Sequence, residues 1–322
     1  MGWYSAVGRA TIFALPAETA HGVAGRVLSL PLPWARIGGA STDPSLAVTV
    51  AGIPMRNPIG LAAGFDKTGE HVDALGALGF GYVVAGTFTQ EARVGNPRPR
   101  IARFPRQRSM VNAMGLPNPG AEAAAGTLGA RTHPYPVFAS IADQSRDAAL
   151  ATLELLSASA DAIELNASCP NVGWGRDRDD EAHLSELVTA LAARSFRPVF
   201  VKLPPFVTDS AREGVLSLAR VAQDAGAAGI TCSNTHPVAT DRVTGGTGGL
   251  SGRALWVHTP KIVAAVVEAT GAAIAVNACG GIFDVADVRE CLGAGASTVQ
   301  IYTSFIYQGP GIVGRLTKGL MS

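Results

Sequence analysis

Eight short apolar runs recur after residue 56, with helix-like segments between them, and this alternation limits the fold more than any other feature. The runs are NPIGLAAG (57–64), GYVVAGT (81–87), YPVFASIA (135–142), AIELNAS (162–168), PVFVKLP (198–204), GITCSNT (229–235), AAIAVNAC (272–279) and STVQIYTS (297–304). Their hydrophobicity is continuous rather than alternating, which predicts strands covered on both faces, as parallel strands are. Between them, EHVDALGALGF, DDEAHLSELVTALAARS and DSAREGVLSLARVAQDAGA space apolar residues by three and four and read as helices. Eight such units imply an α/β fold of the closed (β/α)8 TIM-barrel type, for which 322 residues leave material to spare. A doubly wound open sheet is the alternative, but GLAAGFDKTGE at the first strand is not a GxGxxG phosphate turn.

Two stretches fall outside the repeat. Residues 88–113 carry six arginines among Pro and Gly breaks and read as a hairpin excursion on the barrel top, either a solvated basic rim or a wall of the site. Residues 1–45 hold two short amphipathic segments, about 3–14 and 17–30, ended by Pro31–Pro33. They read as an N-terminal helical extension to a barrel domain over 46–322. Such a pair either caps the barrel or turns an apolar face to a membrane or a lipophilic acceptor.

Composition narrows the function class. A net charge of +1 with 16% charged residues gives no field suited to nucleic acid. Cys169, Cys232, Cys279 and Cys291 show neither CxxC spacing nor the density of a disulfide scaffold, so a reducing compartment and no metal site are expected. No segment offers about 18 clean apolar residues, so the expected location is the cytoplasm, free or peripheral on the inner face of the cell membrane.

In a barrel of this kind the active site is built at the C-terminal ends of the strands. There the first strand ends in Asp66 and Lys67, the fourth in Asn166, Ser168, Cys169 and Asn171, and the sixth in Ser233, Asn234 and Thr235. Lys202 lies on the fifth, and Asn112 closes the excursion. Amides both donate and accept, so four asparagines can hold a flat ring bearing N–H groups, carbonyls and a carboxylate. Lys67 and Lys202 supply positive charge for a carboxylate or an anionic cofactor. ACGGI after the seventh strand and IYTSF after the eighth, with a helix starting near Gly309, mark a phosphate site. GGTGGLSGR (245–253) reads as a flexible glycine-rich loop. In ELNASCPNVGWGR, Cys169 precedes a proline at a strand end, and a thiol with a reference pKa of about 8.5 can accept a proton. A buried, inert cysteine is the other reading.

These motifs resemble the dihydroorotate dehydrogenase family from about Leu15 to the C-terminus. The resemblance is carried by LPAETAHG, NPIGLAAGFDKTGEHVDALGALGFG, GNPRPRIARFP, NAMGLPNPGAE, ELNASCPNV, VKLPP, NTH, GGLSGRAL, GGI and VQIYTSFI. It implies FMN as cofactor, contacted by Ala63, Gly64, Lys67, Thr87, Asn166, Lys202, Ser233, Gly252, Gly281, Tyr302 and Thr303. It implies substrate contacts at Lys67, Asn112, Met114, Gly115, Leu116, Asn166, Asn171, Asn234 and Thr235. The implied activity, in pyrimidine biosynthesis, is oxidation of (S)-dihydroorotate to orotate, with Cys169 as base, hydride passing to FMN and Lys202 stabilising the reduced flavin.

The family divides by electron acceptor. The extension and AAGFDKTGE resemble the quinone-using class, whereas SCPNV, NAMGLPN and FASIA resemble the soluble class that uses fumarate or an NAD-linked partner. Quinone is the expected acceptor because the extension is present, and fumarate is the alternative. The mixed pattern, with Trp174 beside the site, leaves a second function open: a repurposed FMN oxidoreductase acting on another cyclic amide or acid in specialised metabolism.

Overall fold

The computed structural model describes residues 4, 8–130, 133–142, 145–167 and 180–322. Its strands are, in chain order, β1 (Val48–Val50), β2 (Ile53–Met55), β3 (Ile59–Leu61), β4 (Tyr82–Phe88), β5 (Ile101–Phe104), β6 (Ser109–Asn112) and β7 (Val137–Ile141). They continue as β8 (Ala162–Asn166), β9 (Val199–Leu203), β10 (Gly229–Cys232), β11 (His236–Ala239), β12 (Thr247–Gly252), β13 (Ala275–Cys279) and β14 (Thr298–Ile301). Strands β3, β4, β7, β8, β9, β10, β13 and β14 close into a parallel barrel in that order. Each lies within one of the eight apolar runs, save that β4 continues one residue past its run to Phe88.

Between the barrel strands run the helices α4 (Val72–Ala77), α5 (Ala121–Gly129), α6 (Arg146–Leu156), α7 (Asp180–Arg194), α8 (Asp209–Asp224), α9 (Thr259–Ala269) and α10 (Val285–Gly293). The helical reading of the intervening segments holds most clearly at α8. Thr208 accepts from the Ala211 N–H at its N-terminus, and Val215, Leu216, Ala219 and Ala222 form its buried stripe. Outward-facing strand residues such as Val83, Ile163, Val201 and Val299 pack under these helices in one continuous core. Each large side chain buried there stabilises the fold by roughly 1.5–3 kcal/mol.

The lower end of the barrel is plugged. Tyr82, Phe138 and Phe200 stack across it at ring separations of 4.7 and 5.2 Å, and the β1–β2 hairpin closes over them with Val50, Ile53 and Met55. Gly60 makes the stack possible, because a Cβ there would lie 2.4 Å from the Tyr82 ring.

The upper end is roofed by a four-stranded antiparallel sheet, β11-β12-β6-β5. The expected hairpin is present as β5–β6, but the glycine-rich segment is not the flexible loop anticipated from its composition. It forms β12 and pairs with β6, Gly249 opposite Asn112. Glycine serves close approach here: a Cβ on Gly249 would sit 2.0 Å from the Thr235 hydroxyl.

Ahead of the barrel lie α1 (Arg9–Ala14), α2 (Ala17–Leu28) and α3 (Trp34–Gly38). The basic hairpin holds the first two. Arg103 donates to the carbonyls of Ile12, Phe13 and Leu15 at the end of α1, with its guanidinium 4.5 Å from the centre of the Phe13 ring. Arg98 and Arg100 both reach Glu18 of α2, at 2.9 and 3.1 Å. Those arginines are therefore a dock for the N-terminal helices, rather than a solvated rim.

Candidate active site

All eight barrel strands direct their C-terminal ends to one rim, and a cavity of about 320 Å³ opens there beneath the roof sheet. Inward-facing residues alternate with those under the helices. Above the aromatic plug they are Glu164, Lys202, Thr231, Asn277 and Gln300; at the rim stand Asn166, Ser233, Cys279 and Tyr302. A hydrogen bond from Gln300 on β14 to Glu164 on β8, strands that are not neighbours, crosses the barrel interior.

A line of polar groups runs over the floor. The Thr87 hydroxyl meets that of Ser140 at 3.0 Å, the Asn166 amide donates to Thr87 at 3.3 Å, and the Asn234 amide donates to the Asn166 carbonyl at 3.2 Å. The Asn234 carbonyl in turn accepts the Thr235 N–H at 2.8 Å. Both amides are thus held in one orientation, which suits them to a planar ligand. Asn112 faces them from the roof, where its amide donates to the Gly249 carbonyl at 3.4 Å.

The two lysines stand in different environments. Lys67 donates to the Gly64 carbonyl, and burial pushes its pKa down to about 8, with Arg100 adding to the shift and Asp66 and Glu18 opposing it. Lys202 lies 3.6 Å from Glu164; burial works against its charge, but the nearby carboxylate outweighs that and the net shift is upward. Asp66, the other charge at the end of the first strand, is spent on structure. Its carboxylate accepts the N–H groups of Thr68, Gly69 and His71 and so shapes the turn before α4.

Opposite the amides, the cavity ends in backbone and hydroxyl groups. Gly252, Gly280, Gly281, Tyr302, Thr303 and Ser304 line it, and a short helix, α11 (Thr303–Gln308), starts directly on it. The sequence put that helix start near Gly309; α12 (Ile312–Leu320) lies there, and α11 precedes it. Gly281 has φ +72°, and a Cβ on it would meet the Trp256 nitrogen at 2.6 Å, so the chain needs glycine there.

The structure brings together Ala63, Gly64, Lys67, Thr87, Asn166, Lys202, Ser233, Gly252, Gly281, Tyr302 and Thr303 in this one cavity. Asn112, Met114, Gly115, Leu116, Asn234 and Thr235 complete its lining on the roof side. Ser168, Cys169 and Asn171, and the stretch through Asp179, lie outside the described residues. Two cavity-side groups were not singled out in the sequence, Glu164 and Gln300. Their signal was present: each is a polar residue within an apolar run, two positions before a rim residue, Asn166 and Tyr302.

Fold and cavity together define a (β/α)8-barrel enzyme with its site at the C-terminal ends of the strands. Residues 45–322 match the profile of the family described as dihydroorotate dehydrogenase. The chain belongs to the dihydroorotate dehydrogenase family. Similar relatives include the dihydroorotate dehydrogenase (quinone) of Myxococcus xanthus, 36% identical over 97% of this chain and 91% of that protein. That of Novosphingobium aromaticivorans is 37% identical over 97% and 93%. Among solved structures, the Eimeria tenella DHODH in complex with ferulenol aligns with a TM-score of 0.83 at 28% identity, covering 94% of this chain and 90% of that one. The family is generally flavin-dependent. Among the described residues no helix is long and apolar enough to cross a membrane.

Proposed function

We propose that the protein oxidises (S)-dihydroorotate to orotate with FMN as cofactor and Cys169 as base, and that a quinone takes the electrons onward. The observation that carries this reading is the convergence of Asn112, Asn166 and Asn234 with two lysines on one cavity in a member of this family.

The residues present fit FMN. One end of the cavity offers glycine backbone, the Thr303 hydroxyl and a buried Ser304 hydroxyl with no hydrogen-bond partner among the described residues, groups suited to a phosphate. The other end offers Lys202 and Asn166 to a flat ring. When bound, FMN supplies the hydride acceptor. The chain's own part is to bind, orient and deprotonate. Asn112, Asn166, Asn171 and Asn234 orient the substrate ring, Lys67 neutralises its carboxylate, and Cys169 removes the proton from the ring carbon next to the one that loses hydride.

The quinone reading draws on the N-terminal helices. His21 of α2 lies edge-on to Phe65 at 5.4 Å, and Phe65 lies edge-on to Tyr302 on the cavity wall at 5.8 Å, so α2 reaches the cavity through aromatic rings. A lipophilic acceptor approaching there would bring the protein to the inner face of the membrane.

Anaerobic mixing with dihydroorotate tests the reading. The yellow protein should bleach and release one orotate per flavin, and re-colour on adding a short-chain quinone but not fumarate. Persistent yellow colour would refute dihydroorotate as substrate. Cys169→Ala should keep its flavin and lose bleaching at neutral pH; full activity removes the cysteine from its role.

A further inference from the structure

The middle layer of the barrel sets one carboxylate against one ammonium group beneath the cavity. Glu164 Oε1 lies 3.6 Å from Lys202 Nζ, with side-chain exposures of 0% and 6%. The other oxygen, Oε2, accepts from Thr231 Oγ1 at 2.8 Å and from Gln300 Nε2 at 3.1 Å. These partners stand on β10 and β14, so the carboxylate is gripped from two sides of the barrel. Oε1, by contrast, has no hydrogen-bond partner among the described residues and lies against the lysine. A carboxylate serving packing alone would have both oxygens satisfied. This one is held rigidly by one oxygen so that the other meets the lysine.

We infer that Glu164 is a positioning residue that keeps Lys202 protonated at the ring end of the flavin cavity throughout the pH range of turnover. The inference rests on reading the cavity as a flavin site. An ammonium group removed from water and left unpaired loses its proton readily, by as much as several pH units. The other titratable groups around the pair carry no compensating charge. Cys279 on β13 and Tyr82 on β4 are both raised by burial and stay protonated. From β10 and β14 come only Thr231 and Gln300, which do not titrate, and Lys67 elsewhere on the cavity wall is itself a base. Glu164 is therefore the anion, among the described residues, that answers Lys202.

The test is the flavin midpoint potential as a function of pH, measured by spectroelectrochemistry on wild-type and Glu164→Gln holoenzymes. In wild type Lys202 keeps its proton in both redox states and adds no slope between pH 6 and 10, and an inflection from Lys67 near pH 8 is shared by both proteins. The variant should show within that range a steeper segment, by one proton per two electrons, that is absent from the wild-type line. Glu164→Asp, which keeps the charge, should retain the wild-type slope at neutral pH. A variant slope that superimposes on wild type overturns the inference. If the glutamine variant does not fold, Glu164→Asp decides the matter: its shorter side chain draws the carboxylate away from Lys202, so the added segment should appear above neutral pH, and its absence up to pH 10 overturns the inference. Flavin content separates the two failures: wild-type protein that binds no FMN sinks the reading of the cavity, whereas flavin-loaded Glu164→Gln without the added slope sinks only the role of Glu164.

Discussion

Replacing Glu18 by glutamine should loosen the N-terminal helices without unfolding the barrel. Helix α1 buries no residue fully and α2 buries only Ala20 and Leu28, so beside these and the half-buried Phe13 against Tyr307, polar contacts carry much of their docking. The Glu18 carboxylate serves two arginines, and they are not equal. Arg98 is 75% exposed, and a pair of that kind is worth at most about 1 kcal/mol. Arg100 is 11% exposed and already anchored on the carbonyls of Val94 and Asn96, at 2.9 and 3.2 Å. A charge-assisted bond to so fixed a donor is worth about 1.5–3 kcal/mol, of which glutamine retains the neutral part. The net loss is about 2 kcal/mol, or roughly a thirtyfold rise in the undocked population. Native-state hydrogen exchange reads this directly: amides of α2 should exchange about thirtyfold faster, while those of β8 and β9 stay unchanged. A change below threefold in α2 would refute the reasoning, because the arginine contacts would then not be what holds the helix.

Three further outcomes follow from the same structure. Lys67, with its pKa lowered to about 8, is a cation below that pH, so orotate affinity should be constant at neutral pH and fall as pH rises through about 8; calorimetry giving a flat profile to pH 9.5 would contradict this. His21 is held neutral, with its pKa pushed down to about 3 by burial and by the nearby Lys67 and His71. The unfolded chain takes up that proton near pH 6.5 and the folded one does not, so stability should fall as pH drops from about 6.5 towards 3. Denaturant titrations of His21→Gln should lose part of that slope, and an unchanged slope would acquit the histidine. If the cavity holds the proposed flavin, Gly281→Ala should lose it while keeping its far-UV dichroism, since the new methyl group collides with the Trp256 backbone at the glycine end of the cavity.

The barrel was legible because buried parallel strands leave uninterrupted apolar runs such as GYVVAGT, and a polar residue at the end of such a run has one rim to occupy. The cavity lining was legible for the same reason, with the resemblance supplying the glycines that no periodicity marks. The roof sheet was only half legible. Its β12 strand is TGGLSG, which strand propensity argues against, and the glycines answer to the close approach of Asn112, Thr235 and, at Gly252, the Arg108 carbonyl. Glu164 was passed over because a charge inside a strand is visible in sequence while its partner, one strand away in the barrel and 38 residues distant in AIELN and PVFVKLP, is not. The destination of the hairpin arginines was hidden likewise, since it depends on where two short helices come to rest.

The roof has a consequence for how the chain is made. Asn112 and Gly249, which face each other between β6 and β12, are 137 residues apart. At about 5–20 residues per second, a ribosome delivers the second strand roughly 7–27 s after the first. Through that interval the nascent hairpin carries an open strand edge with nothing to pair it, the kind of surface that recruits other chains. The lining from Gly281 to Ser304 emerges later still. Cofactor capture is therefore an event at the end of synthesis, and a chain stalled before residue 252 is a sticky hairpin on an unfinished barrel.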